Sequence, residues 1–486
     1  MKKISKKKLV SYIFVLIIGV FSSFSLPPYN FFLINFITIP SLFVLLVNQR
    51  FKLKNIENFF YGWIFGFGYF LSSLYWITIS LTFDETFKVL IPIAFLLIPS
   101  FLGIFYGLAT YFFYYFKKFS NISLVLTFSA LFSILEFIRG NILSGFPWNL
   151  ISYSFSEFLS LLQILSLIGT YSFNLFCITL FTLPSLFYLK KSKYDFHFVI
   201  FFGLLLISGI VFGQLKLEQS KDTSLKNNKF IVKIISSKIG IERFYETENE
   251  EEILQSLIKL SKPNNEFKTI FVWPEGVFND TELKNLKKYR NIFKEKFSKK
   301  HIIIFGINNS VDEKTFNSLA VVNNNLDLIA FYNKNNLVPF GEFLPFEIFL
   351  KNLDMKTITN FYNSYSSGEK RDVINLQNYE FDISFLPLIC YEIIYSGKLS
   401  KNNNYDLIIN ISEDGWFGKS IGPHQHFSHS IFRAIEEGKS IIRSTNNGTS
   451  ALINPYGQIS EISESTYEGV IEINQIKNPK KTFFSK

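Results

Sequence analysis

The feature that most restricts this chain is a set of seven apolar stretches within its first 217 residues, each near the length of a bilayer-crossing helix. A spanning helix needs about 20 mostly apolar residues, because the hydrocarbon core is roughly 30 Å thick and each helical residue rises about 1.5 Å. The stretches are Leu9 to Leu26, Phe31 to Val47, Phe59 to Leu81, Val89 to Phe116, Ile122 to Ile138, Phe158 to Leu189 and Phe196 to Gln214. They predict a multi-span α-helical membrane domain over residues 1–217, the second and fifth spans being short. They also account for a mean hydropathy of +0.22, high for a soluble globule. A chain that is 48% hydrophobic and 18% charged is neither disordered nor collagen-like.

The charges give the spans a direction. Residues 1–217 hold 16 Lys and Arg against six acidic residues, which is the whole formal charge of +10 and leaves 33 of each sign to the rest. That excess belongs to loops between spans, so it is no argument for nucleic-acid binding. Basic residues of short loops concentrate on the cytoplasmic side. Lys2, Lys3, Lys6, Lys7 and Lys8 precede the first span, Arg50, Lys52 and Lys54 follow the second, Lys117 and Lys118 the fourth, and Lys190, Lys191 and Lys193 the sixth. All fall on one side, whereas the opposite loops are nearly free of them, apart from Lys88 and Arg139. Seven crossings from an inside start place everything after about residue 215 outside the cytoplasm. The start also has the basic and apolar regions of a signal peptide, but removing the first span would spoil the charge alternation. Glu136 and Arg139, i,i+3 neighbours in the fifth span, read either as a snorkelling, mutually neutralising pair or as a lipid-headgroup contact.

From Lys229 onward short β-rich runs take over: 230–235, 269–273, 301–306, 319–322, 328–332, 381–389, 406–411, 440–444, 450–454 and 469–473. Amphipathic helical patterns at 248–260, 281–297 and 425–437 alternate with them, and Val322 to Asp327 reads as a hairpin. This order predicts an α/β layered domain over 218–474.

Glu275, Lys334 and Cys390 each stand just past an apolar strand-like run, where α/β folds gather reactive groups. Together they suit thiol acyl transfer: a Cys nucleophile, a Glu to take its proton and a cationic Lys to favour thiolate and oxyanion. Cys177 lies in the sixth span, so Cys390 is the single Cys of the outer domain and has no disulfide partner there. Taken singly, each has a plain reading: a small buried apolar residue, a solvated loop carboxylate and a surface lysine. His424, His426 and His429, at i, i+2 and i+5, do not share one helical face, and no metal site is expected. No dinucleotide or phosphate-loop glycine motif and no serine elbow occurs.

Longer motifs surround these residues. Val272-Trp273-Pro274-Glu275, Tyr332-Asn333-Lys334-Asn335-Asn336-Leu337-Val338-Pro339-Phe340-Gly341-Glu342 and Ile389-Cys390-Tyr391-Glu392 resemble successive motifs of the apolipoprotein N-acyltransferase family, the integral membrane branch of the nitrilase superfamily. The resemblance extends through Asn410 to Gly418, Gly422-Pro423, His426-Phe427 and Arg443 to Gly448, and upstream to Phe146-Pro147-Trp148-Asn149. It implies an αββα nitrilase-like domain in which Glu275 is the general base, Lys334 holds the oxyanion and Cys390 carries the acyl group as a thioester. It further implies that Glu342 positions these groups, that Tyr391 and Glu392 flank the nucleophile, and that Asn317, Trp416 and Trp148 shape the pocket.

The implied reaction moves an acyl chain from a membrane phospholipid, expected to be phosphatidylethanolamine, to the α-amine of the N-terminal diacylglyceryl-cysteine of an apolipoprotein. No cofactor is expected, and a monomer is. The implied location is the bacterial inner membrane, with the N-terminus cytoplasmic and the catalytic domain periplasmic. Three features depart from the family pattern. A final span is missing after residue 474, where a tail ends at Lys486, so the sequence is truncated or lacks that anchor. Ser236 to Tyr245 stands where Gln and Trp are common, and Glu413 stands where Asn is usual. Two rival functions are a membrane-tethered nitrilase-type amidase, with water attacking the thioester, and a transporter or receptor. The seven spans favour a lipid substrate over the first. The absence of obvious internal duplication weighs against the second.

Overall fold

The computed structural model describes residues 6–49, 54–189, 192–220, 225–245, 249–345, 364–379, 381–397, 399–400, 404–464, 467–477 and 481–486. Of the basic loop residues, Lys2, Lys3, Arg50, Lys52, Lys190 and Lys191 lie outside these. The chain divides into two compact units, one of residues 1–218 with 419–428, the other of 219–418 with 429–486.

All seven apolar stretches are helical. They correspond to α1 (Lys6–Ser23), α2 (Asn35–Asn48), α3 (Asn55–Leu74), α4 (Ile91–Phe113), α5 (Asn121–Arg139), the short α6 (Leu159–Leu162) followed by α7 (Leu165–Thr182), and α8 (Lys193–Gln219). Five segments are long and apolar enough to cross a membrane, 55–82, 85–116, 121–139, 165–187 and 193–219, while the apolar helix Phe32–Asn48 is shorter. The outward surface suits lipid: in α8 only Asp195, Gly209 and Gly213 are buried, while Phe201, Leu204 and Ile207 are exposed. Helices α3 and α4 meet through glycines four apart, Gly62 and Gly66 against Gly103 and Gly107. A Cβ on Gly62 would lie 2.3 Å from the Tyr106 carbonyl oxygen, so the close approach requires glycine there.

Glu136 and Arg139 neither snorkel nor face lipid. Both are buried, 3.8 Å apart. Glu136 accepts from the Tyr106 hydroxyl (2.7 Å) and from Asn174, and Arg139 donates to the carbonyls of Phe146 and Trp148. A charged pair inside a bundle needs such partners, and here they pin the loop that carries Trp148.

In the second unit, β1 (Leu225–Ser236), β2 (Thr269–Val272), β3 (Phe278–Glu282), β4 (His301–Val311), β5 (Lys314–Asn323), β6 (Leu328–Asn333) and β13 (Gly469–Lys477) form one sheet, ordered β13-β1-β2-β4-β5-β6 with β3 beside β4. The other sheet runs β12-β11-β10-β9-β8-β7 and comprises β7 (Ile374–Asn375), β8 (Ser384–Ile389), β9 (Leu407–Glu413), β10 (Ser440–Asn446), β11 (Ser450–Ile453) and β12 (Ile459–Ser463). Strand alternation builds the layers. Ile270, Val272, Ile302 and Ile304 pack with Ile409, Ile411 and Ile442 of the second sheet. Phe271, Trp273, Ile303 and Phe305 point the other way, onto Leu254 and Leu257 of α9 (Glu250–Ser261) and Phe293 of α10 (Arg290–Lys296). With α11 (Gly422–Glu437) following the second sheet's β9, the order is the expected nitrilase-like layering of helices and two sheets.

All ten sequence-predicted strands are present, and β3, β7 and β12 are additional. The helix expected at 281–297 begins instead as the end of β3 and a 3-10 segment (Leu283–Tyr289), with α-helix only from Arg290. Its first turn is diverted because Glu250, buried, accepts from Thr281 N (3.0 Å) and from the Tyr289 hydroxyl (2.7 Å), partners available only after folding.

Candidate active site

Three strand ends deliver the three candidate reactive groups. Pairing of β2 with β4 continues past Val272, with Trp273 N donating to Ile304 O (2.8 Å) and Gly306 N to Pro274 O (3.1 Å), so Glu275 emerges at the end of a parallel pair. Lys334 directly follows β6, its amide held by Asn317 O at 2.8 Å. Cys390 directly follows β8, with φ +47, a left-handed conformation that a non-glycine residue adopts only when its surroundings enforce it. The enforcing contacts come from Glu392 two residues on. Its buried carboxylate accepts from Ile389 N (2.9 Å), Asn335 N (3.0 Å), Asn336 N (3.1 Å), the Tyr332 hydroxyl (2.6 Å) and Arg371 Nη2 (2.6 Å). One carboxylate thus ties the turn holding Cys390 to the loop after Lys334. Burial opposes its ionisation, but Arg371 and these hydrogen bonds win and hold it below the usual carboxylate range.

Glu275, Lys334 and Glu342 are all buried, and both carboxylates are bonded to the lysine. Lys334 Nζ lies 2.9 Å from Glu342 and 3.5 Å from Glu275. Asn317 spends both amide hydrogens on the same carboxylates, 2.7 Å to each. Glu342 also accepts from Val338 N at 2.8 Å, and Glu275 from Glu413 N at 2.9 Å. Burial alone would lower the Lys334 pKa. The charges of Glu342 and then Glu275 outweigh it, so the ammonium form persists well above its ordinary range. The half-buried Cys390 behaves oppositely: desolvation, then the Glu275 charge, push its thiol up, against Lys334 and a hydrogen bond with Ser412. The resting group is therefore a neutral thiol in the field of the Glu275 carboxylate, and it reacts as thiolate only if a base removes its proton.

The remaining expected residues fall in two places. Tyr391 is buried with its ring 5.5 Å from that of Tyr395, and Trp416 stacks on Phe244 at 5.3 Å. Trp148 belongs to the helical unit, where its indole donates to Gln425 (2.9 Å), as does that of Trp76 (3.1 Å), and its ring stacks on Phe146 and His426.

Several site residues escaped sequence reasoning. Arg371 is one. Asn410 and Ser412 on β9, with Asp414 and Arg443, lie in motifs of the resemblance but were assigned no role: Ser412 donates to Asp414 (2.7 Å) and Arg443 Nη2 to Asp414 (2.8 Å). The sequence signal was a pair of polar residues at period two, alternating with Ile409 and Ile411 in a strand buried along its whole length.

Residues 18–183 match the family model described as the apolipoprotein N-acyltransferase N-terminal domain, and residues 293–475 match the carbon-nitrogen hydrolase model. Apolipoprotein N-acyltransferase of Bradyrhizobium diazoefficiens is 30% identical, covering 93% of this chain and 87% of the relative. That of Rhodopseudomonas palustris is 28% identical, over 95% and 88%, and that of Brucella suis biovar 1 is 27% identical, over 96% and 90%. Among solved structures, the amidase from Nesterenkonia sp. AN1 is similar at 10% identity and a TM-score of 0.36, over 53% of this chain and 94% of that one. By the relative that is 30% identical over nearly its full length, and by models matching both its halves, the chain belongs to the apolipoprotein N-acyltransferase family.

Proposed function

We propose that the protein transfers an acyl chain from a membrane phospholipid to the α-amine of a diacylglyceryl-cysteine at the N-terminus of an apolipoprotein, in two steps through a thioester on Cys390. In the first step Glu275 takes the Cys390 proton and the sulfur attacks the ester carbonyl. Lys334 has three N–H groups, two directed at Glu342 and Glu275 and the third for the oxyanion. The tetrahedral intermediate collapses, the C–O bond breaks, and the proton on Glu275 passes to the departing glycerol oxygen of the lysophospholipid. In the second step the amine attacks the thioester, Glu275 takes its proton, and the C–S bond breaks to give the amide and, with that proton, the thiol. Glu342, Asn317, Glu392 and Tyr391 hold this constellation, while Trp416 and Trp148 shape the lipid-accepting surfaces.

The observation that carries this reading is Cys390 held in a left-handed turn at a strand end, with Lys334 and Glu275 emerging at two further strand ends. Lys334 is bonded to Glu275 and Glu342, and Glu275 and Lys334 both act electrostatically on the Cys390 thiol. The helical unit supports a lipid donor, phosphatidylethanolamine, since confinement in one bilayer raises the effective concentration of enzyme and both substrates. The corresponding location is the bacterial inner membrane, with the second unit on the periplasmic face and the protein acting as a monomer. Incubation with phosphatidylethanolamine followed by mass spectrometry should place one acyl mass on the peptide containing Cys390, discharged by a diacylated lipopeptide amine in a ping-pong pattern. Cys390→Ser should lose transfer, whereas Cys390→Ala should stay folded and membrane-inserted. Full transfer by Cys390→Ala would refute the mechanism, and discharge to water alone would favour the amidase.

A further inference from the structure

Two departures from the family pattern, the segment Ser236 to Tyr245 and the acidic residue Glu413, meet in space. Arg243 sits in the short turn Ile241–Phe244, fully buried, with Nη2 bonded to the Glu413 carboxylate, which is buried as well. The other guanidinium donors are also used: Nε on Gly276 O (3.1 Å) and Nη1 on Gly240 O (2.6 Å) and Ile239 O (3.4 Å). Glu413 additionally accepts from Asn446 Nδ2 (2.7 Å) and Gly415 N (2.8 Å). Both groups are shut away from solvent, so the ion pair and these amide and carbonyl partners are what offset their desolvation.

The pair closes around Glu275. Gly276 is the next residue in the chain, and its carbonyl is bonded to Arg243. Glu413 N donates to Glu275 Oε2, the oxygen that Asn317 and Lys334 do not engage. A single guanidinium is thereby attached on one side to the carbonyl of the residue that follows Glu275 and on the other, through Glu413, to the amide that orients its carboxylate. Gly276 makes room for this: at φ +64, an added Cβ would come within 2.9 Å of the Phe244 ring and 3.5 Å of Arg243 Nη2. Phe244 in turn lies between the Arg243 cation, 4.2 Å from its centroid, and the Trp416 ring.

We propose that Arg243 and Glu413 are a positioning pair that aims the Glu275 carboxylate at the Cys390 thiol, an inference that rests on the reading of Glu275 as the base of thioester formation. Glu413, standing where Asn is usual, has Arg243 as its cationic partner, and the two act as one unit. A proton transfer tolerates errors of only about half an ångström in the base, so loosening the pair slows chemistry more than it weakens donor binding.

The test uses full-length protein in phosphatidylethanolamine-containing micelles, following acyl mass on Cys390 over time at several donor concentrations. The variants are Arg243→Met, Glu413→Gln and the double substitution. Each single variant should lower the saturated acylation rate about tenfold or more, with the donor KM within about twofold of wild type. The double variant should be no slower than the slower single one. Glu413→Gln is nearly isosteric and Arg243→Lys keeps a cation, so these two report the rate if Arg243→Met fails to fold. Wild-type rates in the folded variants, or losses that multiply in the double variant, would overturn the pair while leaving the thioester reading intact. Absence of any Cys390 adduct in the wild type would overturn both.

Discussion

Lys334 is an ammonium between two carboxylates, and those neighbours decide how long it stays charged. Glu342→Gln removes the largest favourable charge, so Lys334 should lose its proton at lower pH. The alkaline fall of the acylation rate then moves to lower pH, each unit of displacement corresponding to about 1.4 kcal/mol. A pH–rate profile of Cys390 acylation checks this, and an unmoved alkaline limb would show that Glu342 does not tune Lys334. Arg371 was invisible in the sequence because it sits outside any apolar run, yet its guanidinium is the charge that keeps buried Glu392 ionised. Arg371→Met should cost about 3–5 kcal/mol in stability by stranding that carboxylate, read by denaturant unfolding of the polar unit. The candidate triad, by contrast, was legible, because each member follows an apolar run whose strand character is local.

At the scale of elements, short β-rich runs located every expected strand, whereas the helix at 281–297 was misplaced because buried Glu250 redirects its start. The glycines of α3 and α4 carry a packing role that hydropathy alone does not display. Gly62→Ile should disrupt this helix pair and lower the yield of inserted, folded protein, seen as aggregation on detergent size-exclusion chromatography. Unchanged behaviour would mean the seam can open at little cost. Helix α11 ends in Glu437, buried at a helix C-terminus, where desolvation and then neighbouring Glu436 raise its pKa to about 7. A carboxyl raised on folding contributes stability that is complete below its ordinary unfolded value and lost as pH rises through about 7. Glu437→Gln should therefore flatten the decline in Tm of the polar unit between pH 5 and 8.5, an effect on the order of 1–3 kcal/mol.

For the whole molecule, the alternation of basic loops proposes an orientation that can be measured. Lys299→Cys, exposed in the polar unit, should react with a membrane-impermeant maleimide in intact spheroplasts. Ser120→Cys, exposed beside Lys117 and Lys118, should react only after lysis. The reverse pattern would overturn the topology. The division into units also shows that a stretch of sequence can belong elsewhere than its neighbours: residues 419–428 interrupt the polar half yet pack with the helices, where Gln425 takes both the Trp76 and Trp148 indole protons.

The sequence by itself determined the apolar spans, the charge asymmetry of their loops, the β-rich runs of the strands and the three residues at strand ends, since all are read over a few neighbouring positions. Only the tertiary structure decided that Glu136 and Arg139 are buried, that Glu392 links two loops and that Arg243 meets Glu413 across 170 positions. Bonds between distant side chains leave no periodic trace in the chain, because their partners become neighbours only when the sheets and helices have closed around them.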